Sequence, residues 1–557
     1  MRNLCKILGA IISMSTIFTA AACGNNKKPP KSAIPNCNIE YAVYDVKDVN
    51  DDAAYQSAVS TNLPTEDGVI LSPYYTMKLN GKDVPVYASR TASGIHSFAM
   101  IDVEEIDSSK PFYIDAEITA RELSNHLSGY KPEVVVLPES TGVTAEISNE
   151  NGTFAAKARI TAYGSYSFAF DKTPEEALTL MIAKKEDTSK LFENHTVKYI
   201  EPGDYSEDVS ATTFSEPNTV YYFKAGKYKT DSIRLSSDTM LYLDRNAYIE
   251  VMPAKSGAGT NAIYAKGNNI KVAGRGLLDF SACCGGEVPA GYYNNKGGIN
   301  FDCVYNASFS GITIINSQTW TLCMNACVGV EVNTCMFFAY RVFADGIMLS
   351  DCQDAVVEYN FIHTGDDAFE TKSTTSQGRQ TKNVIFRYNA AWTDKAVAYG
   401  CIYESNYDTQ DVRFEDNSVG FATGTWSNHL GCCVIQMGNR KGATMKNIVF
   451  KNMEVYFSQT PGLLNVYIGG SGGRGEGYGI VKNIFFKNVT AKINYGKMLH
   501  LQTYDSENCF IYDLYLDNIV ANGTKLTKEN MKDNVDYKYV AGGYDADRYL
   551  HINTKSN

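Results

Sequence analysis

From about residue 220 onward, short runs of β-branched, aromatic and aliphatic residues alternate with polar ones and close on asparagine. The series is Val330-Glu331-Val332-Asn333, Val357-Glu358-Tyr359-Asn360, Phe386-Arg387-Tyr388-Asn389, Phe414-Glu415-Asp416-Asn417, Val449-Phe450-Lys451-Asn452, Phe485-Phe486-Lys487-Asn488 and Tyr515-Leu516-Asp517-Asn518. The closing asparagines follow one another at 27, 29, 28, 35, 36 and 30 residues. Alternation with period two predicts strands. Recurrence at this length with almost no helical pattern predicts a solenoid whose stacked coils bury one continuous core. Asparagine at the same corner of successive coils can form a hydrogen-bonded ladder and tolerates left-handed backbone. Propellers, with four strands per repeat of about 40–50 residues, fit less well. The two longest intervals need inserted loops. The second holds Gly469-Gly470-Ser471-Gly472-Gly473-Arg474-Gly475, formally G-x-G-x-x-G, but no helix pattern follows it, which argues against a dinucleotide site.

Upstream the pattern changes. Over 37–172, runs such as Val69-Ile70-Leu71, Val84-Pro85-Val86-Tyr87, Phe98-Ala99-Met100-Ile101, Val134-Val135-Val136-Leu137 and Tyr166-Ser167-Phe168-Ala169-Phe170 are separated by turn residues. That spacing predicts an all-β sandwich. Residues 173–205, opening on Thr173-Pro174-Glu175-Glu176, carry a capping-like start and a helical pattern, and read as a connector. The solenoid is expected over 206–525, with 526–557 as a tail. Asp51-Asp52 reads as a solvated loop, and His96, His126 and His195 stand alone as structural histidines.

The first residues read as a targeting signal: Arg2 and Lys6, the apolar stretch Ile7 to Phe18, then Thr19-Ala20-Ala21-Ala22-Cys23-Gly24. The apolar run is too short for an ordinary transmembrane helix. Small residues before a cysteine and the polar segment after it resemble a bacterial lipoprotein signal, with Cys23 as the lipidated residue and 24–36 as a tether. Plain secretion is the alternative. Either way the chain is expected to be exported, and the lipoprotein reading anchors it to a bacterial outer membrane, periplasmic or at the surface. At 557 residues two or more domains are expected. Acidic residues outnumber basic ones, 62 to 51, and the net charge of −11 argues against nucleic acid or an anionic membrane face as partner. Of 14 cysteines, most fall in the second half without C-x-x-C pairs or regular histidine partners. Zinc is therefore not expected, and the cysteines read as small core residues, with one or two disulfides open.

Candidate chemistry sits in Thr364-Gly365-Asp366-Asp367-Ala368-Phe369-Glu370-Thr371-Lys372. Asp345, in Ala344-Asp345-Gly346-Ile347, lies 21 residues before Asp366. That distance is close to one coil, so Asp345 is expected beside Asp366 and Asp367. Gly365 is expected to mark a turn or bulge, because adjacent strand residues otherwise face opposite sides. Paired carboxylates with room for a water are the minimal equipment for cleaving a glycosidic bond. Three neighbouring acids cannot all ionise cheaply, so one is expected to stay protonated.

Ile314-Ile315-Asn316-Ser317-Gln318-Thr319-Trp320, then Asp345-Gly346-Ile347, then Gly365-Asp366-Asp367 with the trailing Lys372-Ser373 resembles the core of polygalacturonase-type glycosidases. A β-sandwich ahead of the solenoid resembles the related dextranase–isopullulanase type. The resemblance implies a right-handed parallel β-helix and an inverting hydrolase without metal or organic cofactor. It further implies Asp366 as general acid and Asp345 with Asp367 as the residues that activate water. Two departures bear on substrate. The expected Gly-His-Gly is replaced by Ala398-Tyr399-Gly400, and the Arg-x-Lys pair that holds a uronate carboxylate is missing from Val434-Ile435-Gln436-Met437-Gly438. A neutral glucan, dextran- or pullulan-like, is therefore the expected substrate. The alternatives are a pectin-type hydrolase, a calcium-dependent lyase, or a lipid-anchored glycan-binding protein with solvated acids. Lys372, Trp392, Tyr399, Tyr403, Trp426, His429 and Gln436 are the candidate substrate-binding residues. Lys372 pairs with an acid or binds a hydroxyl; His363 orients an acid or is a turn residue.

Overall fold

The inward residues of successive coils fall into columns: Leu322, Ile347, Phe369, Tyr399 and Cys433 lie in register from coil to coil, all buried in one core. This is a parallel β-helix, described by a computed structural model over residues 35–46, 68–120, 132–150, 153–171, 174–253, 260–284, 296–374, 380–424, 431–437, 442–469, 478–494, 496–503, 508–538 and 546–554. Cys23 and the rest of the leader, Asp51-Asp52, His126, Trp426, His429 and all but the first residue of the glycine-rich loop lie outside the described residues.

Each coil contributes strands to three parallel faces. One runs through Leu322–Asn325, Ile347–Ser350, Phe369–Lys372, Tyr399–Cys401, Gly431–Met437, Gly462–Ile468 and Lys497–Thr503. A second runs through Thr313–Ile315, Met336–Phe338, Phe361–Thr364, Ala390–Thr393 and Ser418–Ala422. The third runs through Val328–Asn333, Gln353–Glu358, Thr381–Arg387, Thr409–Glu415, Ala443–Ser458, Gly479–Ile493 and Cys509–Ala521. Aromatic residues stack along the interior, Phe369 on Tyr399 at 5.0 Å and Phe386 on Phe414 at 4.9 Å between centroids. The described cysteines are free thiols, most of them packed in this core, as expected of small apolar residues.

Six of the seven closing asparagines form two ladders, one residue apart in register, while Asn333 lies level with Glu358 and outside both. Asn360, Asn389 and Asn417 are buried; each of Asn360 and Asn389 donates backbone and side-chain N–H to the next asparagine's Oδ1 at 2.9–3.1 Å. Left-handed backbone falls on the preceding residues, Tyr359, Tyr388 and Asp416. Asn452, Asn488 and Asn518 carry the left-handed conformation themselves and form an outer ladder, Asn488 to Asn452 at 2.9 Å and Asn518 to Asn488 at 3.1 Å.

The N-terminal sandwich has one sheet ordered 70–71, 87–90, 95–105, 178–184, 164–170, 134–137 and a second ordered 82–84, 75–79, 114–120, 153–160, 145–150. Its limits correct the sequence reading. Leu178–Lys184, expected in a helical connector, is a strand between Ile95–Glu105 and Gly164–Phe170. Leu178, Leu180 and Ile182 fill the sandwich core while Met181 and Thr179 face the helix, so burial on both sides erases the alternation. The solenoid begins at Thr196–Ile200 and runs beyond 525, because Val535–Lys538 and Leu550–Ile552 add a further coil.

Sandwich and solenoid meet through the second face. Val69, Tyr87, Phe98, Leu137 and Met181 pack on Phe338, Phe361, Trp392 and Phe421. Beside them, Arg275 is buried between Asp102 and Glu186, each at 2.8 Å, and Arg245 joins Asp102 at 2.9 Å and Glu40 at 2.7 Å. His96 of the sandwich bonds His363 between Nδ1 atoms at 2.9 Å and Thr179 at 2.7 Å. His363 also meets Asp394 at 3.1 Å, and Asp394 accepts the N–H groups of Ala92 and Ser93.

Asn389→Ala should cost about 2–4 kcal/mol by chemical denaturation, since it leaves Asn360 N–H, Val357 C=O and Asn417 Oδ1 buried without that partner. Asn488→Ala, in the solvated ladder, should cost under about 1 kcal/mol.

Candidate active site

The chain bends at Gly365 and Asp366, between Phe361–Thr364 and Phe369–Lys372, and this bend sets the acids. Two glycines make it possible. A Cβ on Gly365 would lie 2.2 Å from the carbonyl oxygen of Arg341, and one on Gly346 2.3 Å from that of Ala368. The coils therefore approach where any side chain would push them apart. Ile347 is in register with Phe369, and the Gly346 N–H donates to Asp367 C=O at 2.8 Å, which sets Asp345 beside Asp367 one coil away. The two adjacent acids are held differently. Asp366 accepts the N–H of Phe343 on the preceding coil and of Asp367, both at 3.0 Å; Asp367 accepts the N–H of Val397 on the following coil at 2.8 Å. The three aspartates expected to meet do meet, on the outside of the coil.

A fourth carboxylate joins them. Glu370 points outward from the next strand, fully buried at 0% exposure. Oxygens of Asp345, Asp367 and Glu370 all lie within 4.8 Å of one another, an arrangement that could hold a cation. Lys372, two residues on and on the same side, supplies a positive charge from within the chain: its Nζ is 3.1 Å from Glu370 and 3.8 Å from Asp345. Of the two sequence roles for Lys372, pairing with acids is the one seen. Glu370 is absent from the sequence-derived site although alternation could have found it, since Glu370 and Lys372 share a face in Phe369-Glu370-Thr371-Lys372.

Burial dominates the electrostatics. It holds Asp345 well above the usual carboxylate range, reinforced by Glu370 and opposed by Lys372. Asp366 is likewise raised by burial and then by Asp345 and Asp367. Asp367 rises only to about 6, because Lys372 and the Val397 N–H favour its charged form. Glu370 rises to about 8 by burial, despite Lys372. For Lys372 burial works against the ammonium, but Glu370, Asp345 and Asp367 outweigh it and its pKa is raised. One cation among several buried acids leaves room for retained protons, so the cluster has both a proton donor and a base near neutral pH.

Trp320 borders the cluster and is 48% exposed, its ring centroid 5.8 Å from Lys372 Nζ. Its loop is pinned from within, Asn316 donating to Ser281 Oγ at 2.6 Å and Ser317 bonded to Thr321 at 2.6 Å. Trp320 belongs to the Asn-Ser-x-x-Trp motif but not to the expected binding set.

The remaining candidates divide. Trp392 is 1% exposed, donates to Pro174 C=O at 3.1 Å and packs on Phe361 against the sandwich, so it is an interface residue and no sugar platform. Tyr399 points into the solenoid core with its hydroxyl on the carbonyls of Asn389 and Ser418, each at 2.9 Å, which also removes it from the binding set. Both belong to sequence runs whose burial on two sides made inward and outward aromatics indistinguishable. Tyr403 is half-buried and edge-on to Tyr467 at 6.0 Å. Gln436 is buried on the site face, its neighbour Ile435 in register with Cys401 and thus with Thr371 beside Lys372. His363 orients Asp394, on the sandwich-facing side.

No family model matches the chain. A curated protein of Vitis vinifera described as "Probable polygalacturonase" is 24% identical over 236 residues, 36% of this chain and 48% of that protein, so the match spans about half of the relative's length. Among solved structures the chain is similar to Dex49A from Penicillium minioluteum, with a TM-score of 0.58 at 15% identity, covering 93% of this chain and 100% of that one. A hyperthermoactive exopolygalacturonase from Thermotoga maritima matches 60% of this chain and 96% of its own at 16% identity, with a TM-score of 0.47. The likeness to Dex49A extends over both sandwich and solenoid, and at 15% identity it is a likeness of fold.

A carboxyl whose folded pKa is raised binds its proton more tightly folded than unfolded, so its stabilising effect is lost as pH rises through the folded value. Asp345→Asn should therefore gain on the wild type in denaturation midpoint as pH rises from 4 towards 8; equal shifts for both chains would show that Asp345 is not raised.

Proposed function

We propose that the chain is an inverting glycoside hydrolase that cleaves α-glycosidic bonds of a neutral polysaccharide, a dextran- or pullulan-like glucan. The observation that carries this reading is the outward cluster in which Asp345 and Asp367, one coil apart, sit with a strongly raised Asp366 beside an exposed tryptophan. In the proposed reaction Asp366 gives its proton to the glycosidic oxygen as the bond to the anomeric carbon breaks. A water held by Asp345 and Asp367 attacks that carbon from the opposite side and loses its proton to Asp367. Trp320 offers its face to the C–H surface of a sugar ring. The fold likeness to Dex49A and the partial likeness to a probable polygalacturonase support a β-helix glycosidase.

The charge of the site favours a neutral substrate. Four carboxylates line it; Lys372, the cation seen paired with them among the described residues, is itself engaged by Glu370, and the comparable strand Gly431–Met437 carries no charged residue. A uronate would bring a further negative charge to this cluster without an arginine fork to receive it. The likeness to a probable polygalacturonase makes pectin-type cleavage the competing reading. The lipid-anchored, exported placement rests on the Cys23 leader alone, and mass spectrometry of membrane fractions from a bacterial host tests it.

Dextran, pullulan, arabinan, galactan and polygalacturonate should be compared with products followed by NMR. The reading expects cleavage of an α-glucan with inverted anomeric configuration; retention, or polygalacturonate as the best substrate, would refute it. Asp366→Asn should lower kcat by about 10²–10⁴-fold with sugar binding retained; an unchanged kcat would remove Asp366 from the acid role, and sugar binding without any hydrolysis by the wild type would favour a binding protein. Activity of the wild type should fall below pH 6 as Asp367 takes up its proton. Trp320→Ala should raise KM more than it lowers kcat.

A further inference from the structure

The proposed reaction uses three aspartates and leaves Glu370 without a task. Buried carboxylates persist where they are paired or do something. Glu370 has its pair: Lys372 Nζ lies 3.1 Å from Oε2, while Asp345 Oδ2 is farther from the same ammonium at 3.8 Å. The order of these distances has a chemical consequence. Without Glu370, the Asp345 carboxylate would become the nearest charge to a buried ammonium. A carboxylate tied to a lysine is a weaker base and has fewer lone pairs for water.

We propose that Glu370 is a positioning residue of the site, holding the Lys372 ammonium off Asp345 so that Asp345 and Asp367 keep oxygens free to bind and deprotonate the attacking water. This rests on the hydrolase reading. The geometry suits the role: Glu370 and Lys372 are two residues apart on one strand, so their side chains emerge on the same side with backbone-fixed spacing. The residue in register on the following coil is Gly400, which has no side chain to compete for Lys372. Other charged or titratable groups act on the cluster from each neighbouring element: Cys323 two coils back, Asp345 one coil back, Asp366 and Asp367 in the bend, and Glu404 beyond the following strand.

The test compares pH profiles of kcat/KM for Glu370→Gln, Glu370→Asp and Lys372→Met with that of the wild type. Glu370→Gln removes the carboxyl nearest the ammonium and frees Lys372 for Asp345. The acid limb should move to lower pH by about one unit and kcat at neutral pH should fall about tenfold. Lys372→Met should move the acid limb the opposite way, and Glu370→Asp, which keeps the charge, should restore the wild-type limb. An unmoved limb in Glu370→Gln, or shifts of the same sign in Glu370→Gln and Lys372→Met, would overturn the role. A denaturation cycle covers variants too inactive to profile: Lys372→Met should destabilise the wild type much more than it destabilises Glu370→Gln, and equal losses would show that the two residues are not coupled. Asp366→Asn separates the two ideas. If it cleaves at the wild-type rate, the proposed mechanism with Asp366 as acid fails; if it is impaired as expected while Glu370→Gln keeps the wild-type limb, only the positioning role fails.

Discussion

Coil-on-coil register is the constraint from which the site follows. Parallel strands hydrogen-bond residue to residue, so a side chain's neighbours are set by how many residues separate two coils. Twenty-two residues separate Ile347 from Phe369, and the same count brings Asp345 to Asp367. The glycines at 346 and 365 protect that register, since each lies where the next coil's backbone leaves no space for a Cβ. Insertions fall where they do no harm: the longer intervals after Asn417 widen later coils, past the acids, and leave their strands in register.

Register alone would bring like charges together at a high cost, so the acids need an environment that tolerates them. Two means are visible. Backbone N–H groups from Phe343 and Val397 reach Asp366 and Asp367 from opposite coils, and Lys372 lies inside the cluster. These favour the ionised forms unequally. Asp367 settles near 6, held down by Lys372 and the Val397 N–H, whereas burial and then acidic neighbours push Asp345 and Asp366 well above the ordinary range. Different protonation states among chemically identical side chains are what acid–base catalysis requires. Here they arise because burial, Lys372 and the neighbouring acids act unequally on the three side chains.

The solenoid was legible because its outer surface is partly solvated, so alternation survives in strands such as Val328–Asn333 and Thr409–Glu415. Where both faces are covered the signal vanished. Leu178–Lys184, covered by both the sandwich core and the solenoid, read as helix for that reason, and the same loss hid the inward direction of Tyr399 and the buried interface around Trp392. The three aspartates could be placed because spacing and motif agreed. Glu370 was missed although alternation puts it on one face with Lys372, because such a pair looks solvated until neighbouring coils close over it. Asparagine spacing found the coils but merged two ladders, since a one-residue shift between Asn417 and Asn452 is invisible against loops of unequal length.

The sandwich bears on the site through the same coils. His363 lies three residues before Asp366, on the face turned away from the acids, and is gripped by His96 and Asp394 in the interface. Asp394 in turn takes two N–H groups from the sandwich turn at Ala92 and Ser93, so the strands flanking the bend that carries Asp366 and Asp367 are clamped from behind. Burial keeps His96 neutral, its pKa depressed first by desolvation and then by His363. One imidazole must then donate and the other accept across their 2.9 Å contact, an arrangement that a second proton would break. The clamp therefore rests on a neutral His96, with one imidazole donating to the other. On the other side of the coil Asp367 takes up its proton near 6, so acidification changes the charge of the acid cluster while the support behind it rests on a histidine that burial holds neutral.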